Sequence, residues 1–349
     1  MSQKVYVGMS GGVDSSVTAA LLKEQGYDVV GIYMKNWATS FPGFDCPWRE
    51  DLNDAKRVAL RLRIPLRVYD FQRDYKDKVV EYMIDEYVRG RTPNPDIMCN
   101  QEIKFRLFLE SAVRDGAEMI ATGHYARTQD GRLFKAKDNN KDQTYFLCRV
   151  SGDALKQTLF PLGDMTKDQV RAKARELNLS TAEKKDSQGI CFVGKVGIRE
   201  FLEQFVETES GPIVDQKGQE IGVHDGAIFY TVGQRSGLGV GGGKAYYVTH
   251  KDMEKNTVYV TNELSDQKLW AKEITINDIN WINEQPSNPE VEVRTRYRGE
   301  LENATISTVN DKRARVTLAH EQRAVTPGQS LVVYQGDELL GSGIVESID

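Results

Sequence analysis

The sequence contains 349 residues, 40% of them hydrophobic and 28% charged, with a formal net charge of −5. This composition is typical of an ordinary globular protein and excludes a disordered, collagen-like or coiled-coil chain, while the length predicts two or three domains. No apolar run reaches the roughly 18 residues of a membrane span, and the first residues lack the features of a signal peptide. The four cysteines are too few for a disulfide framework. We therefore expect a cytoplasmic protein with no membrane partner.

Strand-like and helical patterns alternate through the first 200 residues. Hydrophobic periodicity predicts strands at 4–8, 28–34, 65–70 and 117–122. The segments between and after them are predicted to be helical, at 13–25, 50–63, 74–88, 103–114 and 166–177. Such alternation predicts an α/β domain in which helices cover a parallel sheet. We assign it residues 1–208.

The pattern changes at residues 209–212, where helical periodicity fades and glycine and proline become frequent. Short β-rich runs follow, at 227–232, 245–250, 257–261, 291–297, 305–309, 315–318, 330–334 and 341–347. A second boundary is predicted near 264–269. The sequence therefore predicts two small, mainly β domains after the first: a central domain at 209–268 and a barrel-like domain at 269–349.

A glycine- and serine-rich loop joins the first predicted strand to the first helix. Its residues are Gly8, Met9, Ser10, Gly11, Gly12, Val13, Asp14 and Ser15. Glycines allow a tight turn, and the free N–H groups of a helix start suit a phosphate. Asp14 is expected either to cap the helix or to hold magnesium on a pyrophosphate. The pattern S-G-G-x-D-S resembles the loop of PP-loop ATP pyrophosphatases, which adenylate an oxygen of their substrate.

Two cysteines have contexts that suit chemistry. Cys99 follows a proline-rich segment, and a helix predicted to start near Gln101 would lower the pKa of its thiol. Asp96 could exchange a proton nearby. Cys191 follows a lysine pair and a glycine, which favours an accessible nucleophile. From its own segment alone, each cysteine is better explained by a buried structural role.

The remaining candidates have weaker signals. Cys46 and Cys148 are interpreted as bystanders. His124 follows a predicted strand on the side of the phosphate loop, where it could contact nucleotide or RNA, although a core histidine is the alternative. Residues 1–200 carry 32 basic and 28 acidic side chains, a balance compatible with a polyanionic partner. The glycine-rich segment 230–243 is predicted to be a mobile hairpin loop, or else a hinge or a tRNA-contacting loop of the central domain. No pattern supports a zinc site, and no metal ligands are assigned.

Taken together, these segments closely resemble the tRNA-specific 2-thiouridylase family, PP-loop enzymes that thiolate the wobble uridine of tRNA. The resemblance spans nearly the whole chain and is carried by six ordered segments, which are 8–15, 92–105, 122–127, 141–147, 186–192 and 231–243. Six segments in order are far more specific than any one of them.

The resemblance implies roles for individual residues. The loop from Gly8 to Ser15 would bind ATP, with Mg²⁺ expected beside it and with Met34 and Gly123 near the adenosine. Cys191 would carry sulfur as a persulfide, and Cys99 would be the second catalytic cysteine. An acid–base role for Asp96 is less general, because many members have cysteine there. The residues implied to contact the target base or the tRNA are Asn94, Pro95, Asp96, His124, Lys141, Asp142, Gln143, Arg296, Tyr297 and Gln329.

The implied reaction adenylates the C2 oxygen of uridine and then replaces it with sulfur, releasing AMP and pyrophosphate. The sequence does not separate two roles of Cys99, which either resolves the Cys191 persulfide as a disulfide or releases sulfide. A cysteine desulfurase or a sulfur-relay protein is the implied sulfur donor. Three other interpretations remain open: an amide-forming PP-loop ligase, an RNA-binding protein without activity, and a simple redox dithiol.

Overall fold

The computed structural model describes residues 2–40, 46–185, 197–241 and 243–348. Within these ranges the strands are numbered in chain order: β1 (Lys4–Gly8), β2 (Asp28–Lys35), β3 (Leu66–Asp70), β4 (Met119–Ala121), β5 (Arg127–Gln129), β6 (Arg132–Phe134), β7 (Thr158–Leu159), β8 (Gly211–Val214), β9 (Glu220–His224), β10 (Tyr247–Asp252), β11 (Thr257–Thr261), β12 (Trp270–Trp281), β13 (Glu290–Arg294), β14 (Glu302–Asn310), β15 (Arg313–Arg323), β16 (Ser330–Gln335) and β17 (Glu338–Ile348).

The helical segments of the described residues lie mostly in the first half of the chain. Their bounds are Val13–Glu24, Trp48–Leu62, Gln72–Tyr75, Lys76–Val80, Glu81–Val88, Pro95–Met98, Cys99–Leu107, Phe108–Arg114, Thr144–Leu147, Gly152–Lys156, Lys167–Glu176 and Ile198–Leu202, with short 3₁₀ turns at Ala227–Phe229 and Gln267–Leu269. The segments between 72 and 88 follow one another without a break, as do those between 95 and 114.

A five-stranded parallel sheet in the order β3-β2-β1-β4-β7 confirms the predicted α/β fold. Successive side chains of a strand point to opposite faces. Accordingly, Val5 and Val7 join one buried cluster with the first helix, and Tyr6 joins the other cluster. Hydrophobic cores on both faces hold the sheet between layers of helices.

The last part of the chain forms a closed six-stranded barrel in the order β12-β15-β14-β13-β16-β17, with β12 pairing to β17. Residues 197–262 contain a separate four-stranded sheet in the order β10-β11-β8-β9. The predicted succession of an α/β part and two mainly β parts is confirmed.

A short hairpin of the α/β part extends the barrel sheet. Strand β6 pairs antiparallel with β17 through Leu133 opposite Leu339, and β5 pairs with β6. Arg132 forms an ion pair with Glu338 across this junction. Backbone hydrogen bonds therefore fix the barrel to the α/β part. Sequence periodicity missed this hairpin because each of its strands has only three residues.

Two predicted elements were wrong. The helix expected to begin near Gln101 begins at Pro95, because the Asn94 side chain caps it and proline suits the first helical position. Cys99 therefore lies in the second turn of the helix rather than at its start. The run 227–232, predicted as a strand, contains a 3₁₀ turn at Ala227–Phe229.

Candidate active site

The candidate site lies at the carboxyl edge of the parallel sheet, where β1 runs between β2 and β4. After β1 the chain passes to β2 on one side of it, and it reaches β4 on the other side only much later in the sequence. A crevice therefore opens between the carboxyl ends of β1 and β4. Ligands of open α/β sheets bind in such crevices. The loop from Gly8 to Ser15 follows β1, and the segment Thr122–His124 follows β4.

The loop after β1 is curled by its own serines. The Ser10 N–H donates to Ser15 Oγ at 3.2 Å, the Gly12 N–H donates to Ser10 Oγ at 3.3 Å, and Ser15 Oγ donates to the Gly12 carbonyl at 3.1 Å. Gly11 has φ of +76°, and a Cβ there would lie 2.3 Å from the Asp51 carbonyl oxygen. Only glycine fits this position, because of both its backbone conformation and the space around it.

The two residues implied to lie near adenosine border this loop. A Cβ on Gly123 would lie 2.8 Å from the Ser15 nitrogen, so only glycine lets the segment after β4 approach the loop so closely. Met34 Cε would lie 3.1 Å from a Cβ on Gly8. Both residues therefore flank the crevice, and their contact with a nucleotide stays a prediction.

A buried lysine completes the loop. Lys167 Nζ lies 2.8 Å from both carboxylate oxygens of Asp14, and the Tyr125 hydroxyl donates to Asp14 Oδ1 at 2.8 Å. Lys167 is 9% exposed. The N-cap position of the helix Val13–Glu24 is Gly12, and Asp14 lies in the first turn, so the capping interpretation of Asp14 was wrong. The arrangement places a cation beside a loop whose backbone N–H groups suit phosphate.

Sequence reasoning missed Lys167, although a signal existed. The helix predicted at 166–177 is confirmed, and Thr166 caps the helix Lys167–Glu176 in a capping box with Gln169. Lys167 is the first residue of that helix, where a positive charge opposes the helix dipole. A lysine in that unfavourable place indicates a compensating partner, which is Asp14.

The candidate catalytic segment lies between the α/β part and the barrel. Cys99 is 1% exposed, and Asp96 is half-buried three residues before it. The next residue, Asn100, donates from its amide to the Phe146 carbonyl at 2.9 Å. The Phe146 ring lies 4.3 Å from the ring of Tyr297, a barrel residue. Three of the segments implied to contact RNA thus meet beside Cys99.

Other residues implied to contact tRNA have partners within the protein. Asp142 is buried, accepts hydrogen bonds from Thr144 and the Ala136 N–H, and lies 3.5 Å from Arg294 of the barrel. Gln143 Oε1 accepts from the Tyr125 N–H at 2.9 Å. Their contacts with tRNA stay predictions. The Arg296 side chain, in contrast, is exposed to solvent.

Three known domain families match successive parts of the chain. Residues 3–195 match the family described as tRNA methyl transferase HUP domain, residues 199–262 the tRNA methyl transferase PRC-barrel domain, and residues 271–345 the Aminomethyltransferase beta-barrel domain. A tRNA-specific 2-thiouridylase MnmA of Shouchella clausii is 47% identical over 99% of this chain and 97% of its own length. The same-named protein of Staphylococcus saprophyticus is 45% identical over 99% and 95%.

The chain belongs to the tRNA-specific 2-thiouridylase family. In this family member, the described residues contain no group of three or more histidine, cysteine, aspartate or glutamate side chains that could hold a metal ion. Nor is any helix within the described ranges long and apolar enough to cross a membrane.

Of the cysteines of this 2-thiouridylase family member, two have surroundings that suppress reactivity. Burial raises the pKa of the Cys148 thiol to about 11, and burial likewise raises the pKa of Cys46. A thiol with a raised pKa is a poor nucleophile at neutral pH. Cys191, the implied persulfide carrier, lies outside the described residues, so its pairing with Cys99 stays a prediction.

His124 is packed inside the protein. It is 9% exposed, its Nδ1 lies 2.7 Å from Thr122 Oγ1, and its ring contacts those of Phe105 and Phe160. Burial, together with the positive charge of Lys104, holds the pKa of His124 well below its ordinary value of 6.5. The imidazole is therefore neutral at pH 7. These contacts match the core-histidine alternative, and a contact with tRNA stays a prediction.

We expect His124 to make the protein less stable in mild acid. Below pH 6.5 His124 binds a proton in the unfolded chain but stays neutral in the folded protein. The free energy of unfolding therefore falls with decreasing pH. The loss approaches about 1.4 kcal/mol per pH unit. Urea unfolding of the wild type and His124→Gln at about pH 7.5 and about pH 5.5 measures it. Between these two pH values the wild type should lose more stability than His124→Gln. Equal losses in the two proteins would contradict a lowered pKa of His124.

Proposed function

We propose that this protein is an ATP-dependent tRNA-uridine 2-sulfurtransferase that acts on the wobble uridine. The observation that carries the proposal is the alignment of the whole chain with proteins named tRNA-specific 2-thiouridylase. The lysine-backed loop after β1 supports it, because a loop of this kind suits the phosphates of ATP. The wobble base must leave its stack to reach such a site, as bases in RNA loops readily do.

In the first step, the C2 oxygen of uridine attacks the α-phosphorus of ATP. An oxygen–phosphorus bond forms and pyrophosphate leaves. The loop N–H groups, Ser10, Ser15 and Lys167 would bind the phosphates and stabilise the charge that develops on them. Mg²⁺ would enter the site bound to the phosphate oxygens of ATP. Asp14 supplies a carboxylate within this loop, and it is already paired with Lys167.

In the second step, sulfur displaces AMP at C2. By one route, the terminal sulfur of a Cys191 persulfide attacks C2, and the Cys99 thiolate then attacks Cys191 Sγ and frees the thiolated base. By the other route, Cys99 attacks first and releases hydrosulfide, which attacks C2. Both routes leave a Cys99–Cys191 disulfide, which a thiol reductant must reduce. The need for a reduced thiol favours the cytoplasm, and a cysteine desulfurase or a relay protein would supply the sulfur.

The experiment incubates unmodified tRNA with the protein, ATP, Mg²⁺ and a persulfide donor, and then identifies the nucleosides by mass spectrometry. We expect 2-thiouridine that requires ATP and disappears in Cys191→Ser.

AMP and pyrophosphate without a thiolated nucleoside would indicate another adenylating enzyme, such as an amide-forming ligase. Binding of tRNA without either product would indicate an RNA-binding protein. Disulfide cycling that needs no ATP would indicate a redox protein. In a parallel incubation that also contains a methyl donor, a methylated nucleoside would favour the methyl transfer after which the matched domain families are named.

A further inference from the structure

One residue of the α/β part, Thr92, is contacted by both of the other parts of the protein. Its N–H donates to the Pro327 carbonyl of the barrel at 2.9 Å. Gln329 of the barrel donates from Nε2 to the Thr92 carbonyl at 2.7 Å and to the Pro93 carbonyl at 3.4 Å. The Thr92 hydroxyl lies 3.2 Å from that of Thr231, in the part of the chain between the α/β part and the barrel. The segment Thr92–Pro93 is thus held from two sides.

The barrel approaches this segment unusually closely. Gly328 has φ of +94°, and a Cβ there would lie 2.8 Å from the Thr92 nitrogen. Glycine is therefore required at position 328 for the Gln329 backbone to lie where the Gln329 side-chain amide reaches the carbonyls of Thr92 and Pro93. The contact is built into the barrel loop rather than made by a long mobile side chain alone.

The chain from Thr92 to Cys99 has little freedom. Pro93 and Pro95 fix the backbone φ on both sides of Asn94. The Asn94 side chain accepts from the Asp96 N–H at 3.2 Å and the Ile97 N–H at 3.4 Å, which ties it to the helix that carries Cys99. A displacement of Thr92 therefore moves the first turns of this helix.

We propose that Gln329 is a positioning residue for Cys99. Resting on the proposed function, this inference differs from the expectation that Gln329 contacts tRNA. The Gln329 amide group holds two carbonyls just before the Cys99 helix, so its loss displaces the thiol from the geometry that sulfur transfer needs. A misplacement of about 1 Å at a reacting group is enough to lower a rate severely.

Gln329→Glu tests the proposal. Glutamate has the same shape but no donor, and its charge would face two carbonyl oxygens. We expect the maximal thiolation rate to fall about tenfold, the tRNA dissociation constant to change less than about twofold, and iodoacetamide to label Cys99 several-fold faster in the tRNA-free protein. Peptide mass spectrometry separates Cys99 from the other cysteines.

Gln285→Glu is the matched control. Gln285 is an exposed barrel glutamine whose Nε2 donates to Thr308 at 2.7 Å, so the change removes the same kind of bond without touching the α/β part. It should leave all three measurements unchanged. Thr231→Val, which removes the other contact to Thr92, should also raise Cys99 labelling. This second variant keeps the proposal testable if Gln329→Glu folds poorly.

Two results would overturn the proposal. A tRNA dissociation constant raised about tenfold with unchanged Cys99 labelling would make Gln329 an RNA contact. Unchanged labelling in both Gln329→Glu and Thr231→Val would show that these contacts do not hold the Cys99 helix. Labelling needs neither ATP nor tRNA, so it decides the matter even if the wild type makes no 2-thiouridine.

Discussion

Replacing Lys167 with methionine is expected to lower tRNA-dependent AMP formation by about 100- to 1,000-fold, the effect of losing one preorganised charge stabiliser. Lys167 Nζ lies 2.8 Å from both oxygens of Asp14 and is the cation nearest to that carboxylate among the contacts described. Methionine keeps the length of the side chain but leaves the Asp14 carboxylate without its counterion. The loop then presents an uncompensated negative charge to the phosphates of ATP.

Lys173→Met is the matched control for this change. Lys173 lies on the same helix, and its ammonium group pairs with Glu24 and Glu176 at the protein surface. Such surface pairs contribute little, so AMP formation should stay within about twofold of the wild type. Both variants are compared by the rate of AMP release at saturating tRNA. Equal rates for Lys167→Met and the wild type would remove Lys167 from the phosphate site.

Replacing Cys99 with alanine is expected to lower 2-thiouridine formation by at least about 1,000-fold, the effect of removing a residue that takes part in bond making. Under both proposed routes, Cys99 attacks Cys191 Sγ and breaks its bond to the transferred sulfur. Adenylation does not use the thiol, so the variant should still release pyrophosphate in its first turnover. The two readouts together separate loss of sulfur transfer from loss of the nucleotide site.

Cys148→Ala provides the comparison for Cys99→Ala. Both thiols are buried, but burial raises the pKa of Cys148 to about 11, so it is not a thiolate at neutral pH. Its removal should cost some stability and leave the rate of 2-thiouridine formation within about threefold. Nucleoside mass spectrometry after timed incubations measures both variants. Equal loss of activity in the two variants would indicate a packing effect rather than a role for Cys99 in chemistry.

The α/β fold and the phosphate loop could be predicted because their signals are local. Residues 8–15 are contiguous, and strand–helix alternation extends over the first half of the chain. Lys167 could not be assigned in this way, since it meets Asp14 across 153 positions of sequence. The contact of Gln329 with Thr92 spans 237 positions and depends on how the barrel docks.

Local rules also failed where they competed. The sequence predicts a helix start near Gln101, after the prolines at 93 and 95, but proline suits the first turn of a helix as well as it suits a turn. Asn94 decided the outcome by capping the helix. For His124, the pattern predicts the edge of the sheet on which it lies but not its burial, which comes from Phe105 and Phe160.

In the proposed reaction, ATP activates the C2 oxygen of uridine before sulfur replaces it. The most direct measurement uses tRNA whose uridine C2 oxygen is a heavy isotope, with ATP, Mg²⁺ and a persulfide donor, and then analyses AMP by mass spectrometry. Adenylation forms the oxygen–phosphorus bond and sulfur attack breaks the carbon–oxygen bond, so each 2-thiouridine should yield one AMP that carries the heavy oxygen. Thiolated tRNA formed with unlabelled AMP would exclude adenylation of the C2 oxygen.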